Sequence, residues 1–283
     1  MDFRDEVVEL RKQGLSLAQI TYRVRDRFPE LTEKQVYEKV HGCFRSKKGK
    51  GDKGKRVVGV FGDLHAPFNH PRYLDFVKAT FKQYGVTTVV CLGDLVDFHA
   101  LSRFQSEGCA KGAYDEFDLA CNEVQKVAEA FPELYLTLGN HDLIPERQAA
   151  TLGIGRRFVK DLAQLFRLPK GWKIGNEFII DGVLYRHAPP AGGKDGAVNS
   201  AIQERMSICV GHQHSFGGVK YSANKREIIS GLNAGCGIDA EQYAFAYAKN
   251  ALNRPTLGCG IVFSSENAIF VPMTREWRDG EAT

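Results

Sequence analysis

Three apolar runs constrain what this chain can fold into: Arg56–Phe61, Thr87–Leu92 and Leu134–Leu138 each end directly in Gly-Asp or Gly-Asn. The first two are rich in β-branched residues; the third is apolar but less branched. All three read as strands, and helical segments separate them. Strands that alternate with helices build βαβ units and a largely parallel sheet, so the expected class is α/β. In such sheets ligands bind just beyond the carboxyl ends of the strands, which is where this sequence places its polar residues.

The strand ends carry a dense set of metal-binding side chains. The first delivers Gly62-Asp63-Leu64-His65, the second Gly93-Asp94-Leu95-Val96-Asp97, and the third Gly139-Asn140-His141-Asp142. Two later apolar runs end in Arg186-His187 and in Gly211-His212-Gln213-His214, so five of the eight histidines fall in these motifs. Carboxylate, imidazole and amide oxygen suit divalent transition metals of intermediate softness. Residues i and i+2 of an extended segment point the same way, so Asp63/His65 and His212/His214 are expected to chelate as pairs. Glycine before a ligand lets the backbone turn sharply and approach closely. Any one motif alone reads as an ordinary turn or surface loop. Five at successive strand ends read as a metal site.

In this order the motifs resemble the calcineurin-like metallophosphoesterase family, from about Val57 to Gly237 and weakly on to Met273. The resemblance implies two packed mixed β-sheets flanked by helices, an α/β/β/α sandwich. It also implies two divalent metal ions, manganese first, with iron, zinc, nickel and magnesium as alternatives. It places Asp63, His65 and His214 on one metal, Asn140, His187 and His212 on the other, and Asp94 on both. It makes His141 the acid or electrostatic group beside the scissile phosphate, with Asp142 orienting it. Asp97 becomes the hydrogen-bond acceptor behind a ligand imidazole. The implied reaction is in-line attack on phosphorus by a metal-bridging hydroxide, with His141 assisting the leaving oxygen and no covalent intermediate.

Two positions depart from the family. Protein phosphatases of this family carry arginine directly after the distal Asp of the second motif, where Phe98 stands here, which argues against that type of phosphatase. His187 is followed by Ala188 in place of the usual glycine. Gly192-Gly193-Lys194-Asp195-Gly196 lacks P-loop spacing and reads as a mobile rim loop. Asn233-Ala234-Gly235-Cys236-Gly237 loosely matches a family motif, and Cys236, with no histidine partner in view, reads as a buried structural thiol. Arg147, Arg156, Arg157, Arg186 and Lys194 lie near the motifs and could hold flanking phosphates or be solvated surface charges.

The first 56 residues differ in character. They hold 15 Lys/Arg against 9 Asp/Glu, a net +6, whereas residues 57–283 net −2. Residues 46–56, with six bases, one acid and no apolar side chain, read as a flexible basic linker. Residues 1–45 fit three short amphipathic helices with faces Phe3/Val7/Leu10, Leu17/Ile20/Val24/Phe28 and Val36/Val40/Phe44. Ser16–Gln19 and Thr32–Gln35 read as capping boxes. The short turn through Gly14 and Ser16 resembles a helix-turn-helix module. Its third helix would then enter a major groove with Lys34, Tyr37, Lys39 and Arg45 as contacts, while Lys47 and Lys48 of the linker attract phosphates. Residues 1–45 alone hold nine bases against eight acids, so a protein-docking module stays open.

The expected organisation is a helix-turn-helix-like module at 1–45, a linker at 46–56 and a catalytic domain at 57–283. The expected function is two-metal hydrolysis of nucleic acid, DNA first, by a phage-type member of the family. The alternative is a phosphatase or cyclic-nucleotide phosphodiesterase on a small or protein substrate, with the helices as a docking module. No apolar run approaches the ~18 residues of a membrane span, so no membrane partner is expected. The opening residues are acidic and carry no secretory signal. The seven scattered cysteines read as reduced thiols in a cytoplasm, that of the host for a phage-encoded chain.

Overall fold

The computed structural model describes residues 3–12, 17–29, 31–32, 35–36, 39–40, 56–102, 112–239, 241 and 254–280. The chain divides into two compact units, Met1–Lys53 and Gly54–Thr283.

In the first unit α1 (Phe3–Lys12) and α2 (Leu17–Arg27) bury Phe3, Val7 and Leu10 against Ile20 and Val24, and Val36 and Val40 are buried with them. The Phe3 and Phe28 rings meet edge to face at 5.1 Å. Arg27 pairs with the buried carboxylate of Glu6. The Thr32–Gln35 capping box forms: the Thr32 N–H donates to Gln35 Oε1 at 2.9 Å, and the Gln35 N–H to Thr32 Oγ1 at 3.3 Å. Gln35, Val36, Lys39 and Val40 are helical; the rest of the expected third helix, and Ser16 of the first capping box, lie outside the described residues.

The second unit is an α/β sandwich of two mixed sheets flanked by helices. Its strands are β1 (Val58–Phe61), β2 (Thr88–Cys91), β3 (Leu134–Thr137), β4 (Trp172–Gly175), β5 (Glu177–Ile180), β6 (Val183–Arg186), β7 (Ser207–Val210), β8 (Gly217–Ala223), β9 (Ile228–Ala234), β10 (Gly258–Ser264) and β11 (Asn267–Pro272). The first sheet runs β11-β10-β1-β2-β3-β4 and the second β5-β6-β7-β9-β8. Strands β1 to β4 are mutually parallel, as are β6, β7 and β9; β10 runs antiparallel to β1 and β11, and the edge strands β5 and β8 run antiparallel to β6 and β9.

The layers follow from strand alternation. Val58 and Val60 of β1 join Val90, Tyr185, Cys209 and Leu232 in the core between the sheets. Phe61 faces the other way, into the larger core with Phe76, Val77 and Phe81 of α3 (Tyr73–Gln83) and Val124 and Val127 of α4 (Ala113–Ala130). Gly59 shares that face, where a Cβ would fall 2.7 Å from the Phe81 ring, so the glycine admits the helix. On the outer face of the second sheet, Leu184, Ile208 and Val210 pack on Ala197 and Ala201 of α7 (Gly196–Glu204). Two short helices, α5 (Ile144–Thr151) and α6 (Leu162–Phe166), lie between β3 and β4, and α8 (Arg275–Asp279) follows β11. No helix among the described residues is long and apolar enough to cross a membrane.

Candidate metal centre

Backbone bonds tie the loop after β1 to that after β2, and the loop after β6 to that after β7, while side chains of Asp94 and Asp142 tie in the loop after β3. The N–H of Asp63 donates to Gly93 O at 2.9 Å, that of His65 to Asp94 O at 3.0 Å, and that of Gly211 to His187 O at 2.9 Å. The residues turn inward by a different route from the one strand alternation suggests. Asp63, His65, Asp94 and His212 have φ of 50°, 51°, 45° and 68°. Non-glycine residues in this left-handed region cost on the order of 1 kcal/mol each. Asp63 and His65 therefore converge through two left-handed kinks, not as i and i+2 of an extended strand.

The glycines serve close approach. A Cβ on Gly139 would lie 2.1 Å from Asp94 Oδ1, and one on Gly211 would lie 2.2 Å from Asp63 Oδ2. Each carboxylate thus rests against bare backbone and accepts from it. Asp94 Oδ1 takes the His141 N–H at 2.7 Å, and Asp63 takes the His212 N–H at 3.0 Å.

Two donor sets meet around Asp94. One is Asp63, His65, Asp94 and His214; the other is Asp94, His187 and His212; within each, the ligand atoms lie within 4.8 Å of one another. Asn140 joins the second through Oδ1, 3.0 Å from His187 Nε2. The tautomers favour a cation. His65 Nδ1 donates to Asp97 Oδ1 at 2.5 Å and His187 Nδ1 to Leu92 O at 2.8 Å. With Nδ1 so engaged, His65 and His187 turn Nε2 into the centre, 3.2 Å from His214 Nε2 and from His212 Nδ1 respectively. Four ring nitrogens so close together, beside two buried carboxylates, form a donor set suited to cations. Asp63 and Asp94 are 0% and 1% exposed, and neither pairs with a lysine or arginine among the described residues. Buried carboxylates need compensating charge. Two divalent cations fit this donor set.

Electrostatics agree. Burial lowers the His65 pKa against the pull of Asp97, which keeps Nε2 bare. Burial, then His187, lowers that of His212. For His187, burial acts downward, but the charge and hydrogen bond of Asp94 outweigh it and raise the pKa to about 9. Asp94 thus holds a proton on His187 where a metal would supply the same charge. Despite burial, the histidines keep Asp94 ionised well below the usual carboxylate range.

His141 is seated by Asp97, not by Asp142. Its Nδ1 donates to the Asp97 carbonyl at 2.8 Å and lies 3.2 Å from Asp97 Oδ1. Burial opposes protonation of His141, but Asp97 and Asp94 raise its pKa to about 9. Asp142 faces the other way. It accepts from the N–H groups of Leu95 at 2.9 Å, Val96 at 3.3 Å and Gly139 at 2.8 Å. It braces the second and third loops, and burial and Asp94 raise its pKa to about 7.

The other expected contacts are placed less tightly. Lys39 lies over the Phe3 ring, its Nζ 5.5 Å from the centroid, inside its own unit. Lys34, Tyr37, Arg45, Lys47 and Lys48 lie outside the described residues. Arg147 donates to the Asn140 carbonyl, Arg156 pairs with Glu146 at 3.0 Å and Arg186 with Glu177 at 3.8 Å. Phe98 is buried and packs on Phe166 at 5.9 Å. Cys236 is buried, and that burial pushes its thiol pKa far up. Sequence reasoning missed the tie between Gln213 and Asn233, with Asn233 Nδ2 donating to Gln213 Oε1 at 3.4 Å and Gln213 Nε2 to Gly193 O at 2.9 Å.

The sequence profile of the calcineurin-like phosphoesterases matches residues 56–226. No curated protein matches the chain significantly. Solved structures with a similar fold include Vacuolar Protein Sorting 29 from Cryptosporidium parvum, 13% identical with a TM-score of 0.37, covering 77% of this chain and 96% of that one. A dimetal phosphatase from Danio rerio is 10% identical with a TM-score of 0.43, covering 78% and 96%. YfcE, a phosphoesterase from E. coli, is 14% identical with a TM-score of 0.34, covering 77% and 100%.

Proposed function

Because this chain belongs to the calcineurin-like phosphoesterase family, whose members are metal-dependent phosphoester hydrolases, we propose that it cleaves phosphodiester bonds of nucleic acid, DNA foremost. The convergence of two donor sets on Asp94, with His141 alongside, carries the hydrolytic part of this reading. Asp63, His65 and His214 would hold one divalent cation, Asn140, His187 and His212 the other, and Asp94 both. Bound there, the pair would activate water and neutralise the phosphoryl oxygens.

The chain's own residues do the rest. Asp97 takes the Nδ1 protons of His65 and His141, which fixes both tautomers. His141, held through Nδ1, would hold or deliver a proton at Nε2 to the departing oxygen. Asp142 keeps the loop of His141 against that of Asp94. Phe98 supplies no positive charge where the family's protein phosphatases place a guanidinium for a phosphate monoester, which supports a diester. The net +6 of residues 1–56 supports a polyanionic partner.

The near balance of charge within residues 1–45 favours the second reading, a phosphatase or cyclic-nucleotide phosphodiesterase whose helices dock a partner. Deleting residues 1–56 separates the two. The truncated enzyme should hydrolyse bis-p-nitrophenyl phosphate at a near-normal rate. Its DNA affinity should fall, with the log–log salt slope shallower by roughly 0.9 for each phosphate that the shorter chain no longer neutralises. Fluorescence anisotropy at several salt concentrations measures both. Identical curves for the two chains would put the docking reading first.

A further inference from the structure

A cavity of about 220 Å³ opens beside the metal centre, between the rim loop at Lys194, the first turn of α7, the start of β8, Asn233 of β9 and Thr256. It shares its backbone with the centre. Its wall residue Ser215 directly follows His214. The Thr256 N–H donates to the His214 carbonyl at 2.7 Å, and Thr256 Oγ1 donates to Ser215 O at 3.0 Å. Asn233 is the register partner of Val210, the last residue before the Gly211-His212 turn.

We infer that this cavity is a base pocket, which takes the nucleobase next to the phosphodiester held at the metal centre. The inference rests on the phosphodiesterase reading above and deepens it. Phe216, Val219 and Ala197 give the cavity apolar walls, and the Phe216 ring stacks on no other aromatic ring among the described residues. An aromatic ring that lines a cavity can serve as a stacking platform for a base. The polar wall is held in advance. Asn233 donates to Gln213 and accepts the Gly235 N–H at 3.1 Å, while Gln213 anchors the rim loop through Gly193 O. The Asn233 amide keeps one N–H, and Thr256 keeps its hydroxyl lone pairs, for the edge of a heterocycle. Gly217 and Gly218 add no side chains, and a Cβ on Gly218 would meet nothing within 4 Å. At 220 Å³ the space is smaller than the roughly 300–1,000 Å³ of drug-sized pockets and suits a single ring system. Lys194, exposed at the rim and without an ion pair among the described residues, stands where a further phosphate of the same strand would pass.

Two esters with one leaving group test this on the full-length, metal-loaded enzyme: thymidine 5′-(p-nitrophenyl phosphate) and methyl p-nitrophenyl phosphate. Wild type should prefer the thymidine ester in kcat/KM. Phe216→Leu keeps an apolar wall but loses the stacking face. It should cut that preference about tenfold, through KM, and leave the methyl ester unchanged. A melting curve checks that the variant is folded, and Lys194→Ala, fully on the surface, should weaken only substrates with a second phosphate. An absent preference in wild type, or one that survives Phe216→Leu, overturns the pocket. If neither ester is hydrolysed, the phosphodiesterase reading itself fails. The pocket is then judged by calorimetry with thymidine 5′-monophosphate against inorganic phosphate: equal affinities overturn it, and tighter nucleotide binding that disappears in Phe216→Leu upholds it.

Discussion

Replacing Asp97 with asparagine removes one negative charge from the buried heart of the site and leaves its volume unchanged. Oδ1 of Asp97 lies 2.5 Å from His65 Nδ1 and 3.2 Å from His141 Nδ1, and the side chain is fully buried. Two unit charges at ~4 Å and an effective dielectric of about 20 attract with about 4 kcal/mol, before desolvation takes its share. Two effects should separate. His65 loses the carboxylate that fixes its ring and raises its basicity, a change that typically costs 10–100-fold in metal affinity, or about 1.4–2.8 kcal/mol. His141 loses the main upward influence on its pKa, which should fall from about 9 toward or below 6.5. Competition with a chromophoric chelator reads the first effect. Nitrogen-15 chemical shifts of His141 against pH, in chelated protein, read the second. Metal affinity within twofold of wild type together with a His141 pKa still near 9 would refute the shared-hub reasoning.

His141→Ala should spare metal content and slow turnover. The loss should be largest for DNA, whose leaving alkoxide needs a proton, and smallest for p-nitrophenyl esters; equal losses would argue against an acid role. Gly139→Ala should lower both metal affinity and melting temperature. Its Cβ would fall 2.3 Å from the Asp94 backbone nitrogen, which cannot swing away, and overpacking of this kind costs about 1–3 kcal/mol. Gly192→Ala, with nothing within 4 Å of its Cβ, is the control and should be neutral. In chelated protein, His141 and His187 have folded pKa values of about 9, above the unfolded value near 6.5. Their contribution is therefore complete below pH 6.5 and disappears as pH rises through 9. The melting temperature of chelated protein should fall across that window, by about 2–4 °C for each kcal/mol of stability removed. A flat profile by scanning fluorimetry would contradict the shifts.

Much of the fold was legible because each strand is a short apolar run cut off by a polar turn. Val58, Val60 and Phe61 announce their burial by chemistry alone, and the order of the strand-end motifs limits what they can assemble. The route to convergence was not legible. No local pattern says that Asp63, His65, Asp94 and His212 sit at positive φ, since that conformation is imposed by bonds between loops distant in sequence. Asp97 serves both His65 and His141, 32 and 44 residues away, a pairing that exists only once three strands are side by side. The resemblance makes Asp142 the group that orients His141, yet Asp142 satisfies amides across the loops. The walls around Phe216 are equally hidden, since they come from a loop, a helix and two strands with no shared motif.

The position of β1 in its sheet bears on how the protein is made. Between β2 and the hairpin, β1 pairs with β10, in the register Val58 with Val262 and Val60 with Gly260. The Asp63 carbonyl likewise accepts from Gly237. During synthesis, the strand that carries Asp63 and His65 therefore has an open edge until some two hundred further residues have emerged. Such distant pairings form slowly and leave the nascent chain exposed to wrong strand partners. Every metal-binding motif has been translated by His214, yet the sheet that aims the first of them is closed only by residues after Gly258. Metal capture at this centre would then wait for β10 to pair with β1, not for the appearance of the ligands.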